Sequence, residues 1–220
     1  GTPSRFWLEH ELVEILGVPI RPSAESADRL FDALSERLAE PDFRPRHLLD
    51  RFRIEQISTT DPATSPLDDH RRLRELGFGD RVIPTLRPDA LMHLDSPRWR
   101  DEVARLAELS ATDTSHYGGF LDALRQRRQA FLAAGGLATD HGHFSVDATP
   151  LDDREAAELY RRAVAGTVSA TEVQAFAGHM LHVLAGMARD DGLVMQIHPG
   201  VWRDHHRETF ARFGADLGFD

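Results

Sequence analysis

Four short apolar runs in this chain each give way to a residue that can do chemistry: Asp61, Arg87, Asp140 with His141 and His143, and His198. His198 follows Leu193 to Ile197 and precedes Pro199-Gly200, so it is expected where a buried strand turns into a loop, with Arg203 further along that loop. An imidazole there can polarise a carbonyl or hydroxyl and shuttle a proton near neutral pH. Arg87 is a permanent cation whose planar fork suits a carboxylate; a surface arginine before a proline turn would read the same way. Asp140 can accept hydrogen bonds from sugar hydroxyls or act as a base, whereas Asp61, beside Pro62, reads as a turn former ahead of a ligand.

The pair His141-Gly-His143 has a second possible meaning. Alternate residues of an extended backbone point the same way, and that spacing lets two imidazoles hold a divalent metal in many barrel hydrolases. A metal-dependent hydrolase using His141, His143 and His198 is therefore an alternative reading. His205-His206 carries less, because adjacent residues diverge on a helix and solvated histidines at a helix start explain the pair.

The elements that must position these groups follow from periodicity. Residues 1 to about 52 read as an all-helical lead-in: a helix from Thr2-Pro3 to Gly17, another over Ser26 to Leu38 closed by Pro41, and a short one over Phe43 to Phe52. From 53 to 220 strands and helices alternate. Strands are predicted at 54–58, 82–86, 137–139 and 193–197, with helices at 67–76, 98–109, 118–134, 152–165 and 171–189. Pro84 would ordinarily confine the second strand to an edge or a bulge. Four alternations predict an α/β fold with a parallel sheet, part of a (β/α)8 TIM-type barrel, whose strand ends share one face where active sites are built.

Composition narrows the rest. The chain has 220 residues, a formal charge of -10 and no cysteine, so a net basic face for nucleic acid or an anionic membrane is not expected, and neither is a disulfide framework or a cysteine-based zinc site. No run reaches membrane-span length and Gly1-Thr-Pro-Ser-Arg lacks a signal pattern, which gives a cytoplasmic expectation. All 26 basic residues are arginine, so a lysine base or Schiff base is not available in this sequence.

Several segments resemble uronate (glucuronate) isomerase, a divergent branch of the amidohydrolase superfamily. They are Trp7-Leu-Glu-His-Glu-Leu12, Phe43-Arg-Pro45, Ser58-Thr-Thr-Asp61, Leu86-Arg-Pro-Asp89, Ala138-Thr-Asp-His-Gly142, Asp191-Gly-Leu-Val-Met-Gln-Ile-His198 with Arg203, and Phe213-Gly-Ala-Asp-Leu-Gly-Phe-Asp220. The resemblance implies aldose-ketose isomerisation of D-glucuronate to D-fructuronate and of D-galacturonate to D-tagaturonate in hexuronate catabolism. It implies that Arg87, Asp140 and His198 line the substrate site with Arg203 nearby: Arg87 on the substrate's anionic or hydroxyl end, Asp140 on sugar hydroxyls, and His198 at the reacting oxygens. Asp61 stands beside them as a substrate-side candidate from its strand-end position alone.

The same resemblance implies a divalent metal, zinc among the candidates, held by a His-x-His upstream of the Trp7 helix and an aspartate downstream of His198. It thereby assigns no metal ligand within these residues and speaks against that role for His141 and His143, the hydrolase reading standing as the alternative. The match is to the middle of a polypeptide roughly twice as long. The sequence reading therefore expects little or no turnover from these residues alone, and association into a homo-oligomer that covers open sheet edges. Where the family usually carries asparagines after the arginine matching Arg203, this chain has Asp204, His205 and His206.

Overall fold

The computed structural model describes residues 2–143, 145, 147–199 and 204–214. Its chain divides into two units, Gly1–Glu55 and Gln56–Asp220. In the first, Thr2 caps helix α1 (Pro3–His10) by accepting the Arg5 N–H, and Pro3 supplies the preset φ of a first helical turn. The helix predicted to run unbroken toward Gly17 loosens into a π-helical segment over Glu11–Ile15, and Gly17 ends it at φ 67°. Helix α2 (Ala27–Ala39) and helix α3 (Pro45–Arg51) complete the unit. Arg37 and Arg51 both lie over the buried Phe43 ring, 4.7 and 5.3 Å from its centroid, while donating to the Leu16 and Ile15 carbonyls.

In the second unit, strand β1 (Ile57–Pro62), helix α4 (Asp68–Glu75), strand β2 (Val82–Arg87), helices α5 (Trp99–Ser110) and α6 (Tyr117–Ala133), and strand β3 (Ala138–His143) follow in turn. Helices α7 (Asp153–Ala165) and α8 (Ala170–Asp191), strand β4 (Val194–Pro199) and helix α9 (Arg207–Phe213) complete it. The sheet is parallel with order β1-β2-β3-β4, the arrangement of successive βα units in a barrel wall. Two capping boxes, Asp152 with Glu155 and Ser169 with Glu172, start α7 and α8, and Gly166 and Gly192 stop them in the left-handed conformation.

All four strands run further than their apolar residues foretell, β2 by Arg87 alone, and the first begins at Ile57 and not at Ile54. Asp61, Asp140, His141, His143 and His198 belong to the strands themselves and not to the loops after them. Pro84 is also not at an edge, because β2 lies between β1 and β3. Ile57 and Ala63 of the β1 side donate to the carbonyls of Arg81 and Arg87, so by alternation the backbone of Pro84 faces β3. On that side the register is confined to Leu86 opposite Thr139, and the missing N–H of Pro84 interrupts no longer ladder.

Trp99, Leu106, Phe120, Leu124, Tyr160, Phe176 and Met180 form the centre of the core between sheet and helices. Arginine forks tie the loop after β1 to the helix layer: Arg127 donates to the Ala63 and Ser65 carbonyls and Arg105 to that of Thr64. Behind the core, Leu151 N–H donates to Nδ1 of buried His179, whose Nε2–H is then directed at the Tyr117 hydroxyl, 2.7 Å away. This relay fastens the segment leading into α7 to α8.

Candidate functional site

Side chains alternate along each strand, and the register sorts the candidates onto two faces. Arg87 on β2, Asp140 on β3 and His198 on β4 share one face; Leu86, Thr139, His141 and Met195 share the other, which packs on the core. On the first face a polar cluster spans three adjacent strands. Arg87 Nη2 lies 2.8 Å from His198 Nε2, and Arg87 Nη1 lies 3.7 Å from Asp140 Oδ2. His198 Nδ1 is 3.0 Å from Asp140 Oδ1.

Two members of this cluster escaped the sequence reading. Asp89, two residues beyond Arg87 across Pro88, accepts from Arg87 Nε at 2.8 Å and from the Gly142 N–H at 3.0 and 3.2 Å. That hydrogen bond holds the Arg87 guanidinium more firmly protonated than usual, with the nearby charges of Asp89 and Asp140 adding to it against partial burial. Gly142 sits opposite His198 in the register. A Cβ there would stand 2.9 Å from Asp89 Oδ2 and 3.4 Å from both Arg87 Nη2 and His198 Nε2. The cluster therefore closes over a missing side chain. Gly142→Ala is expected to push the three groups apart, at about 1–3 kcal/mol of stability and with loss of the Arg87–His198 contact, read from the His198 ring resonances by NMR.

The remaining candidates are elsewhere. Asp61, expected near the substrate, faces away from Arg87: its Oδ2 accepts from Thr59 at 2.6 Å and lies 3.7 Å from Nε2 of buried His70 on α4. It braces β1 against α4, because the strand continues past the point where a turn was expected and alternation carries Asp61 to the helix side. His141 is almost fully buried on the core face, bonded to Thr139 Oγ1 at 2.8 Å, and His143 reaches the Asp147 carbonyl at 3.2 Å. Burial holds the His141 imidazole neutral, pushing its pKa down to about 4. His206 caps α9, and Arg203 lies outside the described residues.

A shared metal for His141, His143 and His198 does not fit this geometry, because the first two stand on the face opposite His198. Among the described residues no group of three or more His, Asp or Glu side chains is placed to hold a metal ion. Asp140 and His198 are two donors with a guanidinium 2.8 Å from one of them, a setting that opposes a cation. The residues described here do not by themselves fit a divalent ion.

A sequential parallel sheet with an Arg–Asp–His cluster at the carboxyl ends of its strands defines an α/β protein built like part of a (β/α)8 barrel, with its polar cluster at the strand ends where such barrels build their sites. The profile of the glucuronate isomerase family (UxaC) matches residues 1–220. The chain belongs to that family. It is 45% identical over 220 residues to the uronate isomerase of Rhizorhabdus wittichii and 44% identical to that of Rhizobium meliloti, in each case over all of this chain and 47% of the relative. Among solved structures it superposes on glucuronate isomerase from Caulobacter crescentus with TM-score 0.93 and 40% identity, covering 100% of this chain and 46% of that one. Uronate isomerase from Thermotoga maritima gives TM-score 0.90 at 29% identity, covering 100% and 49%. The chain thus spans about half the length of the curated relatives it matches.

Proposed function

We propose that these residues form part of a uronate isomerase site, converting D-glucuronate to D-fructuronate and D-galacturonate to D-tagaturonate by moving a proton between C2 and C1. The observation that supports this most directly is the contact of Arg87, Asp140 and His198 across three neighbouring strand ends in a chain of the glucuronate isomerase family. In this reading Arg87 holds the anionic or a hydroxyl oxygen of the sugar and balances charge that develops on the enediol oxygens. Asp140 accepts from sugar hydroxyls and orients His198, which passes a proton between the reacting oxygens. A closed eight-stranded barrel of the amidohydrolase superfamily, a cytoplasmic setting and self-association are further parts of the proposal.

The test is addition of D-glucuronate to isotopically labelled protein, with conversion followed by 13C NMR with and without added zinc or manganese. Saturating sugar is expected to shift the Gly142 amide and His198 ring signals in the wild type, and Arg87→Ala to weaken that binding at least tenfold. Wild-type signals that stay unmoved at saturating sugar would overturn the reading.

A further inference from the structure

The cluster specifies where the proton on His198 sits. An arginine guanidinium is protonated at every accessible pH and all its nitrogens are donors. With Arg87 Nη2 at 2.8 Å, Nε2 of His198 receives that bond through its lone pair and carries no proton. A carboxylate only accepts, so the 3.0 Å contact between Nδ1 and Asp140 Oδ1 puts the ring proton on Nδ1. This is the reverse of the Nε2–H form that an unconstrained histidine side chain favours.

What aims Nη2 at the ring is Asp89. It takes the Arg87 Nε hydrogen, and its own carboxylate is lodged on the backbone N–H of Gly142, in the space that a Cβ would fill. With Nε fixed on one side, the planar fork has no freedom to turn, and its two terminal nitrogens face His198 and Asp140. Both Arg87 and His198 remain partly exposed, at 35% and 41% of their side-chain surface, so a ligand can reach the contact between them.

We infer that Asp89 is a positioning residue that turns Arg87 so as to hold His198 in the Nδ1–H tautomer with its Nε2 lone pair occupied, until an anionic ligand oxygen draws the guanidinium away. A carboxylate or enediolate oxygen is a better partner for the guanidinium than a neutral imidazole nitrogen. Ligand binding thus exposes Nε2 as a proton acceptor beside the ligand. The release step rests on the uronate reading; the tautomer clamp does not.

Long-range 1H–15N NMR of the histidine rings tests both, with His198 assigned through His198→Gln. The ligand-free wild type is expected to show His198 as the Nδ1–H tautomer alone. Asp89→Ala should lose that pattern in favour of the Nε2–H form. Asp89→Asn, which keeps one acceptor oxygen for Arg87 Nε, should retain most of it. Arg87→Gln should match Asp89→Ala while leaving the Asp89–Gly142 contact in place. A wild-type His198 in the Nε2–H form, or an Asp89→Ala protein with an unchanged ring, overturns the clamp.

Saturating D-glucuronate is expected to move the Nε2 resonance toward that of a free acceptor nitrogen. If the Gly142 amide shifts while the ring nitrogens do not, the release is wrong. No shift anywhere overturns the uronate reading and the release with it, and the comparison of Asp89→Ala with wild type still decides the clamp.

Discussion

Arg128→Met is expected to destabilise the Gln56–Asp220 unit by about 3–5 kcal/mol, the range for breaking a buried ion pair from one side. Arg128 on α6 is 1% exposed, and its Nε and Nη2 both bond the Asp191 carboxylate at the end of α8. Asp191 Oδ1 also accepts the Leu193 N–H at 3.1 Å, so this carboxylate sets the turn from α8 into β4, the strand that carries His198. Burial pushes the Asp191 carboxyl up, but the Arg128 hydrogen bond and the Leu193 N–H together more than reverse it and leave it below the ordinary range.

Removing the arginine strands that charge among buried groups. At roughly 2–4 °C per kcal/mol for a unit of this size, the melting temperature should fall on the order of 10 °C. The partner variant sharpens the expectation. Among the described residues Arg128 Nη1 finds no hydrogen-bond partner, so the pair carries part of its burial cost uncompensated, and Arg128→Met with Asp191→Leu should recover much of the loss. A urea-denaturation cycle over the four proteins measures the coupling. A single variant within about 1 kcal/mol of wild type would show that the pair adds little to folding.

Acid is expected to act through His141. Its imidazole is neutral in the folded state, with its pKa lowered from 6.5 to about 4 by burial. Asp89 and Asp140 push it back up, and Arg128 and His198 push it further down. A group whose folded value is depressed contributes stability that is complete above its unfolded value. That contribution fades as pH falls through the window from about 6.5 to about 4. The amount is on the order of 3 kcal/mol. His179, also lowered by burial and by the charge of His182, acts in the same direction.

The control is His141→Gln, whose amide can still reach Thr139 Oγ1 but does not titrate. Denaturation free energies of the two proteins measured from pH 7 to pH 4 should diverge, with the wild type falling more steeply. Parallel curves would place the acid sensitivity in the carboxylates instead.

The helices were legible because their ends are written in residue types with a direct physical role. Asp152 with Glu155 and Ser169 with Glu172 satisfy the first N–H groups of α7 and α8, and Gly166 and Gly192 take the left-handed cap that other residues avoid. The strands were read short for a reason particular to this architecture. Polarity ordinarily marks the end of a strand, yet Thr59, Asp61, Asp140, His141 and His198 continue the sheet with partners on both faces: Thr59 with Asp61 and His70, His141 with Thr139, His198 with Arg87 and Asp140.

That misplacement sent Asp61 to the wrong face while leaving Arg87, Asp140 and His198 together. Asp89 and Gly142, though inside family-matching segments, were given no role for a different reason. They lie 53 residues apart, and their importance comes from the adjacency of β2 and β3, which no local pattern records. The signals that could have raised them were the Arg-Pro-Asp spacing and a glycine where an extended backbone would ordinarily favour a larger residue.

The narrow register between β2 and β3 makes the sheet two ladders meeting at one backbone position, β1 with β2 on one side and β3 with β4 on the other. Arg87 and Asp89 belong to the first half; Asp140, Gly142 and His198 belong to the second. Every contact of the polar cluster between these two sets, Asp89 to Gly142 and Arg87 to Asp140 and His198, crosses that junction. The side chains proposed to meet a uronate are therefore also the stitching between two halves of the sheet. In the uronate reading, occupancy of the site and the breathing of the sheet become one equilibrium, and amide exchange at Gly142 should report on both.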